Sequence, residues 1–104
     1  MPDALPLPLR VLVAHPLLEV RRLAEYLIGR ADDLRLLGSV ASPVDLVDAA
    51  SALRPDAVLL DARLPCLDGD ALGRLRQRRC EVVLVRDVGD VEASIEALRA
   101  LRAG

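Results

Sequence analysis

The chain has 104 residues, enough for one domain whose core buries roughly 65% of the unfolded surface. Apolar residues make up 53%, yet Phe and Trp are absent and Tyr26 is the single aromatic, so the core is aliphatic. All fourteen basic residues are Arg, and the net charge of −2 gives no general attraction to nucleic acid or anionic membrane.

Residues 1–8 carry three prolines, Pro2, Pro6 and Pro8, and read as an extended leader. The opening Met1-Pro2-Asp3 lacks a signal peptide's basic start. No apolar run approaches the roughly 20 residues of a membrane span. Leu9 to Ala14 is a buried strand in pattern. Pro16 suits the first turn of a helix, and Leu17, Val20, Leu23, Ala24, Leu27 and Ile28 recur at helical spacing. Gly29 is the expected stop.

Leu34 to Gly38, running on to Val40, is a second short strand. Ser42-Pro43-Val44-Asp45 starts a helix, with Ser as cap, Pro at the first position and Asp three residues past the cap. Leu46, Val47, Ala50 and Leu53 make its inward stripe, and Arg54-Pro55 ends it. Ala57 to Leu60 is apolar on both faces, the pattern of a strand covered on two sides. It ends in Asp61, followed by a loop with Leu64-Pro65 and Asp68-Gly69. Asp70 is placed to cap a third helix, with Leu72 and Leu75 inward. Arg63, Arg74, Arg76, Arg78 and Arg79 read as a solvated face rather than a nucleic-acid site. Val82 to Val85 is a further all-apolar strand, and Asp90 is placed to cap a last helix with Val91, Ile95, Leu98 and Leu101 on one face.

The order β-α-β-α-β-α-β-α with short connections predicts a parallel α/β sheet with right-handed crossovers. Cys66 and Cys80 fit no metal or redox spacing; a helix over 70–79 would hold them about 15 Å apart, as free thiols in a reducing cytoplasm. In such sheets ligands collect at the carboxyl ends of the strands, where Asp61 and His15 stand. Asp61 either caps a loop or carries chemistry. His15, the sole histidine, either bonds neighbouring backbone or joins Asp61 around a transition metal.

Val58-Leu59-Leu60-Asp61-Ala62-Arg63-Leu64-Pro65-Cys66-Leu67-Asp68-Gly69 resembles the strand-Asp-x-x-Met-Pro-x-Met-Asp-Gly segment of the receiver domains of bacterial two-component response regulators, especially those attached to helix-turn-helix transcription factors. Leu37 to Ser42 and Arg54-Pro55-Asp56 fall at that family's spacing too, and the likeness spans residues 9–101. The resemblance implies a flavodoxin-like three-layer sandwich of strand order 2-1-3-4-5 and Asp61 as the phospho-accepting aspartate. Because the chain stops at Gly104, where a fifth strand would begin, the domain 9–104 is expected to be truncated there, with order 2-1-3-4 and the fifth β-α unit missing.

The family's paired magnesium-holding acids align with His15 and Pro16, and its phosphoryl-contacting Ser or Thr aligns with Arg86. Its Lys has no counterpart, since the chain contains none. Magnesium wants oxygen ligands and the family's acidic pair is absent, so no cofactor is expected, with Mg²⁺ as the alternative. Arg86, with Asp87 beside it, is a neighbour of the acceptor; it either forks onto Asp61 in a fixed ion pair or faces solvent.

The leading expectation is an atypical, non-enzymatic signalling receiver of the cytoplasm, serving transcription regulation and impaired in Mg-dependent phosphorylation. It would act through protein contacts, with no nucleic-acid or membrane partner. The alternatives are a receiver phosphorylated on Asp61 by a histidine kinase, a small hydrolase using Asp61 as nucleophile, and a ligand sensor using the pocket above it. The apolar strand Val82–Val85, lacking Lys or Pro, is expected at a sheet edge, where exposed strands recruit partners. A two-fold dimer through Val83, Val85, Ile95, Leu98 and Leu101 is the expected form.

Overall fold

The computed structural model describes residues 7–63 and 80–103. The elements are β1 (Leu9–Ala14), α1 (Leu18–Arg30), β2 (Leu34–Val40), α2 (Pro43–Leu53), β3 (Ala57–Asp61), β4 (Glu81–Val85), a 3-10 turn (Val88–Asp90) and α3 (Val91–Ala103). Four of the sequence expectations lie outside the described residues: the start of the leader (1–6), the loop 64–69 with Cys66, the helix 70–79 with Asp70, Leu72, Leu75 and its arginines, and Gly104.

The strands form one parallel sheet in the order β2-β1-β3-β4. Right-handed crossovers dictate the layering. The path from β1 to β2 runs one way along the sheet and the path from β2 to β3 runs back, so α1 and α2 fall on opposite faces. Strand alternation then sorts the core. Val11, Val13, Leu59 and Val85 pack under Val20, Ala24 and Ile28 of α1 and Val91, Ile95 and Leu98 of α3. Leu12, Ala14, Val58 and Leu60 turn the other way, toward Leu46 and Ala50 of α2 and Cys80. All five residues of β3 are buried, as its two-sided apolar run requires. Burying each such Leu or Val contributes about 1.5–3 kcal/mol.

The helix ends carry most of the differences from expectation. Helix α1 starts at Leu18, so Pro16 precedes it rather than opening it. The Leu17 N–H is taken by the His15 ring, which holds the chain in a turn for two residues first. Gly29 lies within α1; the stop comes at Ala31, whose extended backbone turns toward β2 while its N–H reaches the Ile28 carbonyl.

Helix α2 begins as its sequence proposes. The Ser42 hydroxyl accepts from the Asp45 N–H at 3.2 Å. It ends on Arg54, a non-glycine residue at φ 49°, because Pro55 disfavours a right-handed helical residue before it. The Arg10 guanidinium supports that end, donating to the Leu53 carbonyl at 2.7 Å and the Arg54 carbonyl at 3.0 Å. Two orphan carbonyls are satisfied and a cation sits at the negative end of the helix.

Asp90 does not cap α3 with its side chain. A 3-10 turn intervenes, capped by Asp87, whose carboxylate accepts from the Gly89 N–H at 2.9 Å. The Asp90 carboxylate instead reaches back to the Arg86 N–H at 3.3 Å.

Along α3, Ile95 and Leu98 face the core, with 6% and 0% exposure, and Val85 of β4 is equally buried. These three residues are therefore packing residues of the monomer, not free contact surface, because α3 lies flat on the α1 face. Leu101, Val88 in the 3-10 turn and, on β4, Leu84 are exposed apolar side chains of this region. Among the described residues no helix is long and apolar enough to cross a membrane.

Candidate functional site

Three adjacent strands deliver His15, Asp61 and Arg86 to the carboxyl edge of the sheet, the end at which open parallel sheets hold ligands. His15 follows β1, Asp61 closes β3 and Arg86 follows β4. The first two are buried, at 2% and 7% exposure.

The His15 ring has a definite job on each nitrogen. Nδ1 lies 3.1 Å from the Leu17 backbone N, which has only a proton to offer, so Nδ1 is the acceptor. The neutral ring then carries its proton on Nε2, which donates to the Arg86 carbonyl at 3.1 Å. Asp61 Oδ1 stands 3.5 Å from the same Nε2, near enough for attraction and too far for a good hydrogen bond. That oxygen accepts instead from the Arg63 N–H at 3.0 Å, an Asx turn that pins the carboxylate over the first residues of its own loop. Beneath the imidazole the walls are Val13, Val20, Ala24, Leu59, Val85 and Val91, an apolar floor shared with the core.

One further residue builds the site, and nothing in the sequence marks it out among fourteen arginines. Arg21, one turn into α1, sends Nη1 back to the His15 carbonyl at 2.8 Å and the Pro16 carbonyl at 3.0 Å. The β1–α1 turn is thus held from both sides, by the His15 ring within it and by a guanidinium across it.

Arg86 does not form the ion pair with Asp61 that its position in the sequence allows. Among the described residues the acid–base pairs are His15 with Asp61 and Arg99 with Asp33. The Arg86 side chain is exposed, and what it supplies to the site is its carbonyl. Asp87 is likewise exposed and engaged with Gly89.

This donor set does not fit magnesium. The ion takes oxygens in near-octahedral order, whereas among the described residues Asp61 is the one carboxylate beside His15, Pro16 has no donor, and both His15 nitrogens are already hydrogen-bonded. The same commitment of both nitrogens leaves His15 no lone pair for a transition metal. Among the described residues no three potential ligands cluster. A cavity of about 830 Å³ lies at the other end of the sheet between the end of α1 and α3, lined by Arg30, Asp32, Asp33, Glu92, Glu96 and Arg99.

No family model matches the chain. Among curated proteins it is 35% identical over 99 residues to protein-glutamate methylesterase/protein-glutamine glutaminase 2 of Paramagnetospirillum magneticum, covering 92% of this chain and 28% of that protein. It is 34% identical over 97 residues to protein-glutamate methylesterase/protein-glutamine glutaminase 4 of Myxococcus xanthus, covering 89% of the chain and again 28% of the relative. The chain therefore spans little more than a quarter of the relatives it matches.

Among solved structures, the signal receiver domain of the putative response regulator NarL from Mycobacterium tuberculosis superposes with a TM-score of 0.68 at 20% identity, over 89% of this chain and 79% of that one. The response regulator domain of Thermotoga maritima CheB gives 0.66 at 24%, over 91% and 72%. These likenesses carry the fold; the sequence relatives carry the kinship. The chain has the fold of a response-regulator receiver domain, and in sequence it is related to a segment making up about a quarter of the methylesterase proteins it matches.

Proposed function

We propose that the chain is a non-enzymatic signalling receiver whose acceptor site is closed to magnesium-dependent phosphoryl transfer and which acts by contact with other proteins. One observation carries this reading: the position facing Asp61 holds a buried imidazole with both nitrogens engaged in backbone hydrogen bonds. Phosphoryl transfer to a carboxylate relies on positioned cations to neutralise charge as the group moves. At this site the neighbouring cation, Arg21, is spent on the carbonyls of the β1–α1 turn, and Arg86 points to solvent.

The methylesterase activity named in the relatives belongs to proteins of which this chain spans 28%, so it is not proposed for this domain. Partners are expected to be proteins of a two-component pathway, a histidine kinase among them, in the cytoplasm. No nucleic-acid contact is proposed through this domain. The transcription-regulator setting is supported by the receiver neighbours, which include a putative LuxO repressor of Vibrio parahaemolyticus. Labelling with acetyl phosphate and Mg²⁺ tests the reading.

A further inference from the structure

The chain holds one histidine, and imidazole is the side chain that ordinarily changes charge between about pH 5 and 8. The two nitrogens of His15 are placed to answer a second proton in opposite ways. Nε2 already donates to the Arg86 carbonyl at 3.1 Å, with Asp61 Oδ1 at 3.5 Å. Both oxygens are acceptors and one is anionic, so this side of the ring gains when the ring becomes a cation. Nδ1 accepts from the Leu17 N–H at 3.1 Å. A proton on Nδ1 sets a donor against a donor, and that bond is lost.

We infer that His15 is a proton-operated latch: taking up a second proton at Nδ1 breaks the bond to Leu17, frees the β1–α1 turn and reshapes the surface that carries Leu17 and Leu18. The proton comes from solvent and occupies the lone pair that the Leu17 N–H now uses; raising the pH returns it and closes the turn. Because Nε2 keeps its acceptors, the ring stays over β3 and β4, and the change falls on the start of α1. Leu17 and Leu18 are 50% and 49% exposed there, so a shift of the turn alters an apolar surface open to partners.

The surroundings concentrate the effect on that turn. Arg21 Nη1 lies on the His15 and Pro16 carbonyls at 2.8 and 3.0 Å, so a cationic ring brings two like charges onto one short segment. Beneath the ring the floor is apolar, and it offers the protonated Nδ1 no acceptor. The other charged groups on the neighbouring elements are committed or turned outward. Asp87 and Asp90 accept from the Gly89 and Arg86 N–H groups. Glu19, Arg22, Asp45, Arg63 and Arg86 have exposed side chains. Among the described residues, Asp61 and Arg21 are therefore the charges that act on the ring. Which partner reads the Leu17–Leu18 surface rests on the protein-contact reading above; the latch itself does not, so failure of one experiment leaves the other standing.

Nitrogen-15 NMR of the 104-residue chain reads the ring and the turn together. At about pH 8 the ring proton is expected on Nε2, with Nδ1 bare. From about pH 8 to 5 the ring nitrogens and the Leu17 amide are expected to titrate with one midpoint, and the Leu17 protection factor to fall about tenfold or more. The Val58 and Leu59 amides of β3 are expected to keep their protection throughout. His15→Asn sets an oxygen near the place of Nδ1 without a titratable ring, so its Leu17 amide is expected to show no transition in that range. A ring that titrates while the Leu17 amide stays protected overturns the latch. So does a ring that carries its proton on Nδ1 at about pH 8, one that does not titrate in that range, or a Leu17 transition that persists in His15→Asn. Loss of Val58 and Leu59 protection at the same midpoint overturns it too, since the whole fold then opens. Should His15→Asn not fold, the unmodified chain decides the point alone.

Discussion

His15 Nε2 stands 3.5 Å from Asp61 Oδ1, yet its hydrogen bond goes to the Arg86 carbonyl at 3.1 Å. The imidazole therefore ties the ends of β1 and β4 together across the end of β3, and its other nitrogen fixes the start of α1 through Leu17. The first strand thus ends in a structural crosslink.

Removing that crosslink should cost stability. His15→Ala leaves the Leu17 N–H and the Arg86 carbonyl without their partner in a buried site, and each group that stays dry costs about 1–3 kcal/mol. Urea denaturation of the variant is expected to show a loss in that range or above. A loss below about 0.5 kcal/mol, the size of an ordinary surface substitution, would show that the ring holds nothing in place.

Arg86 should behave oppositely despite lying next to the site. Its side chain is exposed and only its carbonyl is used, so Arg86→Ala is expected to change stability by less than about 0.5 kcal/mol. Combined with Asp61→Asn, the two effects should add within about 0.5 kcal/mol. A coupling well above that, read from a double-mutant cycle, would mean that the guanidinium does reach the carboxylate.

How far the sequence carried these conclusions depended on whether local or tertiary forces decided the point. The strands read correctly because a two-sided apolar run has one stable environment; β1 and β3 fall within a residue of expectation, and β4 adds only Glu81. The Ser42 cap is a local bond between residues three apart and was equally readable. Gly29 misled because the end of α1 is set by where β2 must enter the sheet beside β1. Ile95 and Leu98 were placed on a contact surface because a helix's apolar stripe does not say which layer it meets; α3 takes the α1 face. At the site, Asp61 and His15 were visible as polar residues ending apolar strands. Arg21 was not, since its role depends on a turn delayed by the His15 ring.

Cys80 offers a test of the α2-side core. Burial, then the charges of Asp56 and Glu81, push its thiol from 9.0 up to about 11. A raised folded-state value favours the neutral thiol, so its stabilising contribution is full below pH 9 and is lost as pH rises through about 11. In a Cys66→Ser background, iodoacetamide at pH 8 should modify the folded protein far more slowly than the urea-unfolded chain, followed by intact mass. Equal rates would place Cys80 at the surface.

The central claim is that Asp61 occupies a receiver's acceptor position in a site closed to metal-dependent phosphorylation. Its most direct test is intact-mass spectrometry after incubation with acetyl phosphate and Mg²⁺, with Asp61→Asn alongside. The expected result is the unmodified mass for both proteins. A stoichiometric gain of one phosphoryl group on the unsubstituted chain, lost in Asp61→Asn, would contradict it.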